Sequence, residues 1–274
     1  MRRLINLKPG HGAAIVLAAL PFILVIIAYL AGSAERLAAN PDDKLLPAPH
    51  SLGEAIDRVA FKPDKRTGDV VLWTDTAASL GRLLTGVAIS AALSLVIGIG
   101  VGLVPLLRAT FETMIAALAM IPPLAVLPIL FLVFGLTEVA KIALICICIA
   151  PFMTRDLILR VREIPEEEIV KAQTLGGSTW QIALRVVLPQ IWPRLFDSIR
   201  LALGSAWLSL IAAEAIASES GLGYRIFLLR RFFAMDVILP YVAWITLLAF
   251  LLDWSLRRMQ HVLFPWFTAQ RGAG

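Results

Sequence analysis

Few residues of this 274-residue chain have types and spacings able to do chemistry. Cys146 and Cys148, the two cysteines, both lie in the apolar run Ile-Cys-Ile-Cys-Ile. Two residues apart on a helix, at about 100° per residue, they point to nearly opposite sides and cannot bridge to each other, so small packing roles suit them best. His11, His50 and His261 are too scattered for a metal-ligand spacing. Gly98, Gly100 and Gly102 imitate a dinucleotide fingerprint, but they sit inside an apolar run with no strand before them and no acidic residue at the required distance after them. Close helix packing through Gly98 and Gly102 is the expectation instead. No glycine precedes a lysine, so there is no phosphate-cradling Gly-Lys-Ser/Thr loop. The chain is therefore expected to carry no catalytic residue, no metal site and no cofactor of its own.

Two acids remain that sit in or beside apolar runs, Glu214 and Asp253. A carboxylate near the end of a membrane span is costly in lipid, so Glu214 should face protein or a pathway. It can serve as a gate on that pathway, or as a structural partner of Arg82 or of a backbone donor. Asp253 fits an interfacial position at the inner end of a last helix.

These residues must be held by membrane helices. Apolar residues make up 59% of the chain and charged residues 16%, where a soluble domain carries about a quarter charged; mean hydropathy is +0.81. That excess of apolar surface needs lipid to face, and the length leaves room for six spans and one sizeable loop. Gly12 to Ala34 is uncharged over 23 residues, too long for the apolar core of a signal peptide, and is read as a first transmembrane helix at 12–34 after a short N-terminus at 1–11. Residues 35–78 form a polar loop, with Asp42, Asp43 and Asp64 among Lys44, Lys65 and Arg66, and a short amphipathic helix from Ser51 to Phe61. Residues 79–257 hold the other spans, and 258–274 form a tail. Leu83–Leu107 and Thr113–Thr137 are long enough to cross. The second contains Pro122, Pro123 and Pro128 and should be kinked or partly unwound beside protein or a water-filled translocation path. Ile142–Thr154, Leu201–Ala213 and Val237–Leu252 are shorter and need their flanks.

Charge sets the expected orientation. With both termini inside, the inner segments hold Arg2, Arg3, Lys8, Arg108, seven basic residues from Arg155 to Arg200, Arg257, Arg258 and Arg271, 14 of the 25. The net charge of +5 is thus a membrane-topology signal rather than a nucleic-acid one. Arg225, Arg230 and Arg231 run against the rule, so residues 218–236 are expected to dip back into the protein.

The segment from Arg155 to Arg200 is the best punctuated of the chain. Pro165 stands at a first helical position and Glu166, Glu167 and Glu168 fill the first turn, where the helix dipole favours anions. Ile169, Ala172 and Leu175 give an apolar face, Gly176-Gly177 stops the helix, and Ser178 with Gln181 makes a capping box for a second helix ended by Pro189. Two short helices hinged at two glycines, over about 163–190, should lie against the membrane.

Ala172-Gln-Thr-Leu175-Gly176, nine residues, then Val186-Val187-Leu188-Pro189 resembles the cytoplasmic loop of ATP-binding-cassette importer permeases: Glu-Ala-Ala, three residues, Gly, nine residues, Ile, any residue, Leu-Pro. Here Val170 and Lys171 stand at the Glu and first Ala positions, while Ala172, Gly176, Leu188 and Pro189 keep register. Ser79-Leu-Gly-Arg82 with Gly86, Pro122-Pro123-Leu-Ala-Val-Leu-Pro128 with Phe134-Gly135, and Ala213-Glu214 with Gly221-Leu-Gly223-Tyr224 resemble further helices of the nitrate/sulfonate/taurine/bicarbonate branch. The resemblance spans roughly 46–266. It implies an all-α polytopic fold with a coupling loop at Ala172, Leu175, Gly176, Gly177, Leu188 and Pro189. The implied partners are a cytoplasmic ATPase dimer that binds the ATP and Mg, a periplasmic or lipid-anchored solute-binding protein, a second permease copy and membrane lipid, with no nucleic acid. It also implies a bacterial inner-membrane location and a small anionic solute. A stand-alone secondary transporter is the alternative; it would ordinarily show an internal repeat and several intramembrane ionisable residues, and neither is evident.

Overall fold

The computed structural model describes residues 10–40, 43–64 and 68–267. The first nine residues and those after Phe267, which include the two ends expected to be cytoplasmic, lie outside that set, as do Asp42, Lys65 and Arg66. Among the described residues every regular element is helical. Five helices are long and apolar enough to cross a membrane, and a bent pair makes a sixth crossing if its two arms count as one.

Contacts divide the chain into two units. The first comprises residues up to Val70 together with Leu229–Pro240. Its long helix α1 (His11–Ala39) runs past the expected end at Ala34 and leaves Ile15, Phe22 and Val25 exposed, as a lipid-facing helix should. Its C-terminal half is tied to the irregular segment that follows: Tyr29 Oη donates to the Pro47 carbonyl at 2.6 Å and Ser33 Oγ to the Leu46 carbonyl at 3.0 Å. Asp43 pairs with Arg36 and accepts from the Leu45 amide, and these partners, the guanidinium first, hold its carboxyl below the ordinary range. Helix α2 (Pro49–Ala60) is the amphipathic segment expected from Ser51, started by Pro49 in its first turn. Within this unit Arg58 reaches Asp236 at 3.2 Å.

The second unit, Val71–Leu228 with Tyr241–Gly274, is built on three long helices: α3 (Val71–Leu103), α6 (Glu138–Arg162) and α9 (Leu188–Ala217). Helix α3 begins at Val71, inside the segment read as loop, because Asp75 and Arg82 are paired within the protein rather than solvated. Helices α3 and α6 pack most extensively, and glycine is why. A Cβ on Gly86 would lie 2.7 Å from Ile145 Cγ2, one on Gly98 2.8 Å from Leu157 Cβ, and one on Gly102 2.7 Å from Val161 Cβ. The glycine series is thus a groove for α6, as small residues at a membrane helix interface permit. The two thiols diverge as their spacing requires, Cys146 toward the Gly86 carbonyl of α3 and Cys148 toward the Ser205 carbonyl of α9.

The expected single span Thr113–Thr137 is corrected. Helix α4 (Pro105–Leu118) and helix α5 (Pro123–Phe134) meet at 94°. Pro122 and Pro123 supply no amide for the carbonyls one turn earlier, and the residue before a proline avoids helical geometry. The Leu118 carbonyl instead accepts from the Ile121 amide at 3.2 Å in a tightened last turn. The expected span Leu83–Leu107 runs past the end of α3 at Leu103 into α4, and the three shorter ones lie inside α6, α9 and α11 (Met235–Leu263), each lengthened by its flanks.

Candidate functional site

Two places in the second unit concentrate polar structure. The first is a buried ionic cluster. Asp75, Ser79 and Arg82 are four and three residues apart, on one face of α3. All three are buried, and so is Glu214 near the end of α9. The Glu214 carboxylate accepts from Ser79 Oγ at 2.8 Å, Arg82 Nη1 at 2.6 Å and the Gly223 amide at 2.9 Å. Asp75 accepts from the Gly221 amide at 2.9 Å and Arg225 Nε at 2.8 Å, and Tyr241 Oη donates to it at 3.3 Å. The Leu222 amide donates to Ser79 Oγ at 2.8 Å. Three successive amides at the start of helix α10 (Leu222–Arg230) are therefore satisfied by side chains of α3 and α9. Glycine is required at both ends of that turn. Gly221 has φ +125° and a Cβ there would lie 2.5 Å from Glu214 Cδ; a Cβ on Gly223 would lie 2.7 Å from the Ile211 carbonyl oxygen.

Arg82 joins this inner half to an outer one. Its Nη1 also reaches the Ser220 carbonyl at 2.8 Å, while Nη2 donates to Glu138 at 2.9 Å; Lys141 Nζ donates to Glu138 at 2.8 Å and to Ser218 Oγ at 3.0 Å. Asp75, Glu138 and Glu214 balance Arg82, Lys141 and Arg225 in charge. Each buried charge in this set has an opposite partner; left unpaired, each would be costly. The bond from Arg82 and the backbone donor anticipated for Glu214 are both present. Arg225, which opposes the charge rule, pairs with Asp75; of the segment 218–236 expected to dip back, residues 221–223 are buried, while Arg230, Arg231, Phe232 and Phe233 are exposed.

The second place is a helical hairpin. Helix α7 (Glu166–Thr174) begins after Pro165, which caps it from outside, and ends where the Gly177 amide returns to the Ala172 carbonyl at 3.0 Å. Gly176 takes φ +82°, with open space around its missing Cβ, whereas a Cβ on Gly177 would lie 2.8 Å from the Ala172 oxygen. The Ser178–Gln181 capping box forms in both directions, at 3.3 Å and 2.9 Å. The expected apolar face is only partly covered: Ile169 and Ala172 are half-buried, but Leu175 is 88% and Trp180 72% exposed, and Val170 is exposed too. Pro189 does not end the second helix, which is a further correction. Helix α8 (Thr179–Ile182) passes through a π-helical stretch (Ala183–Val187) into α9 without a break. The wider π turn lets the Leu188 amide reach back to the Ala183 carbonyl and makes room for a proline ring at the next position. Gln190 Nε2 donates to the Val186 carbonyl at 3.2 Å and to Glu168 at 2.8 Å, tying α7 to this stretch. Leu188 and Pro189 thus belong to the base of the hairpin. The hairpin and Glu214 stand at opposite ends of one helix, Thr179–Ala217, about 50 Å apart at 1.5 Å per residue.

Pro122 and Pro123 line a half-open cavity of about 350 Å³ with Cys148, Phe152, Ser205 and Ser209, between the α4–α5 break, α6 and α9. Pro128 sits one turn further along α5, outside that lining. Asp253 pairs with Arg200 at 2.7 Å and Arg257 at 3.0 Å. Sequence reading missed Asp75, Glu138 and Lys141 as site residues. The i, i+4, i+7 spacing of Asp75, Ser79 and Arg82 and the i, i+3 spacing of Glu138 and Lys141 were the signals that could have found them.

The family described as binding-protein-dependent transport system inner membrane component matches residues 71–268, starting later than the span of roughly 46–266 suggested by the motifs. The chain is 36% identical over 198 residues to the taurine transport system permease protein of Escherichia coli strain K12, covering 72% of each chain. It is 34% identical over 200 residues to the bicarbonate transport system permease protein of Synechococcus elongatus, covering 70% of this chain and 72% of that one. It is 30% identical over 247 residues to a putative aliphatic sulfonates transport permease protein of E. coli, covering 90% of each. A subunit of the MetNI methionine ABC transporter, in an inward-facing conformation, superposes with TM-score 0.57 at 21% identity over 70% of this chain and 95% of that one, so the fold is that of an ABC-importer permease. With its ionic cluster built from the very motifs Ser79–Arg82, Glu214 and Gly221–Gly223, this chain belongs to the inner-membrane component family of binding-protein-dependent transport systems.

Proposed function

We propose that the chain is the membrane-spanning permease subunit of an ATP-driven importer, and that its hairpin at Glu166–Ile182 is the element a partner ATPase grips. The observation that carries this reading is the exposed apolar tip, Leu175 and Trp180 flanking Gly176, on a hairpin continuous through α9 with the buried cluster. An exposed apolar patch on a rigid mount is what a partner surface needs. Movement of the hairpin reaches Glu214 as rigid-body motion of a helix. ATP and Mg belong to the ATPase dimer; this chain supplies the path. A second permease copy completes that path and a solute-binding protein delivers the solute from outside. Pro122 and Pro123 open backbone beside a cavity, which is what a path between packed helices requires; Pro128 lies within α5, outside that lining. The solute is a small oxyanion, a reading supported by relatives named for taurine, aliphatic sulfonates and bicarbonate. The chain sits in a bacterial inner membrane with both termini cytoplasmic.

Gly176→Asp tests the hairpin. Its φ of +82° strains any replacement, and the new carboxylate meets nothing within the chain. The variant is expected to insert normally but to lose most transport and to release the ATPase on purification. Intact transport with a retained ATPase would overturn the coupling role. Failure of any ATPase to co-purify with the unmodified chain would overturn the permease reading.

A further inference from the structure

The outer half of the ionic cluster makes few contacts to the turn before α10. Lys141 Nζ bonds only Glu138 and Ser218 Oγ among its described partners, and Arg82 turns Nε and Nη2 outward to Glu138 while Nη1 holds Glu214 and the Ser220 carbonyl. The Arg82 and Lys141 side chains are 7% and 4% exposed, yet the carboxylate over them is 56% exposed. One surface acid thus occupies a place built by two buried cations. The Ser220 hydroxyl lies 3.4 Å from Arg82 Nη2 and the Ser218 hydroxyl 3.0 Å from Lys141, so two further hydroxyl groups rim the same place. Glu138 is the first residue of α6, whose N-terminus has no side-chain cap and adds its own preference for negative charge.

We propose that Arg82, Lys141, Ser218 and Ser220 form a binding site for the acidic head of a small soluble oxyanion, a sulfonate or a carboxylate, and that the Glu138 carboxylate is its resident, displaceable occupant. A guanidinium edge and an ammonium offer several donors to oxygen atoms of one anionic group, the geometry that recognises carboxylate and sulfonate alike. The Glu138 side chain is half exposed and the two cations are buried, so exchange swaps one anion for another without leaving a buried charge unpaired. As a station for the transported solute the site rests on the permease reading; as an oxyanion site it stands on this geometry alone.

The test uses the full chain in nanodiscs of zwitterionic lipid, comparing wild type, Glu138→Ala, Glu138→Gln and the double variant Glu138→Ala/Lys141→Met. Thermal unfolding is followed with methanesulfonate or chloride at equal ionic strength. Glu138→Ala and Glu138→Gln are expected to unfold earlier than wild type and to recover saturably with methanesulfonate but not chloride. Wild type should respond less, and the double variant, with no unpaired lysine, should stay folded and lose most of the response. No recovery in either single variant, equal recovery in chloride, or an undiminished response in the double variant would overturn the site. Nanodiscs containing phosphatidylglycerol separate the sources: if that lipid alone restores the single variants and removes the methanesulfonate response, the occupant is a lipid headgroup and the soluble-anion proposal falls. Loss of ATPase co-purification would bear on the permease reading and leave this response untouched.

Discussion

Glu214 shows how much one intramembrane carboxylate can organise. It lies at the junction of α3, α9 and the turn before α10, and removing it leaves buried Arg82 with only its outer partners, Glu138 and the Ser220 carbonyl, and takes the acceptor from Ser79 and the Gly223 amide. Breaking a buried pair from one side costs about 3–5 kcal/mol. Glu214→Ala is therefore expected to lower the unfolding temperature of the detergent-solubilised protein sharply, and Glu214→Gln, which keeps shape and one acceptor, to lower it less; an equal loss would show that the charge alone carries the effect, and no loss in either that the cluster does not stabilise the fold. Gly221 is the matching constraint on the other partner. Gly221→Ala brings both a positive-φ cost of about 1 kcal/mol and a Cβ 2.5 Å from Glu214 Cδ. Gly81→Ala, on the exposed face of α3 with nothing within 4 Å, should instead stabilise by about 0.5–1 kcal/mol. Thermal unfolding of the two glycine variants side by side checks the contrast, and similar shifts would contradict it.

Among the elements, the hairpin was the most legible in sequence because its signals are local. The three glutamates, two glycines and the Ser178–Gln181 box each act within a few residues, and the structure forms each of them, with Pro165 one place earlier than expected, at the N-cap. What escaped was the continuation through Pro189, since a proline reads as a stop unless the turn before it widens, and only packing selects the π geometry. The box anchors the start of that continuous helix. Ser178→Ala removes one capping bond worth about 1 kcal/mol, so amide exchange at Trp180–Ile182 should accelerate while exchange in the middle of α9 does not change. Faster exchange throughout α9 would mean that the hairpin and the membrane helix unfold together. The 94° break between α4 and α5 was half legible: three prolines announce irregularity, but only the neighbours decide whether a helix kinks or folds back.

At the scale of the whole chain, charge predicts the orientation. The count of basic residues predicts residues 35–78 outside and the hairpin inside. With Cys146 and Cys148 replaced, a membrane-impermeant thiol reagent added to intact cells should label a cysteine at Ser51 and not one at Ser178. The reverse pattern would invert the topology and remove the hairpin from the reach of a cytoplasmic ATPase.

The sequence by itself determined the helical class, the approximate number of crossings, the groove glycines and the hairpin's caps, because lipid exposure, short contact distances and local hydrogen bonds write themselves into composition and spacing. It offered Arg82 as a partner of Glu214 but could not pair Asp75 with Arg225 or bring Ser79, Glu138 and Lys141 to the same place beside the 218–223 turn. Those groups are separated by up to 150 residues. Only the packing of α3, α6 and α9 brings their charges close enough to be worth more together than each costs to bury.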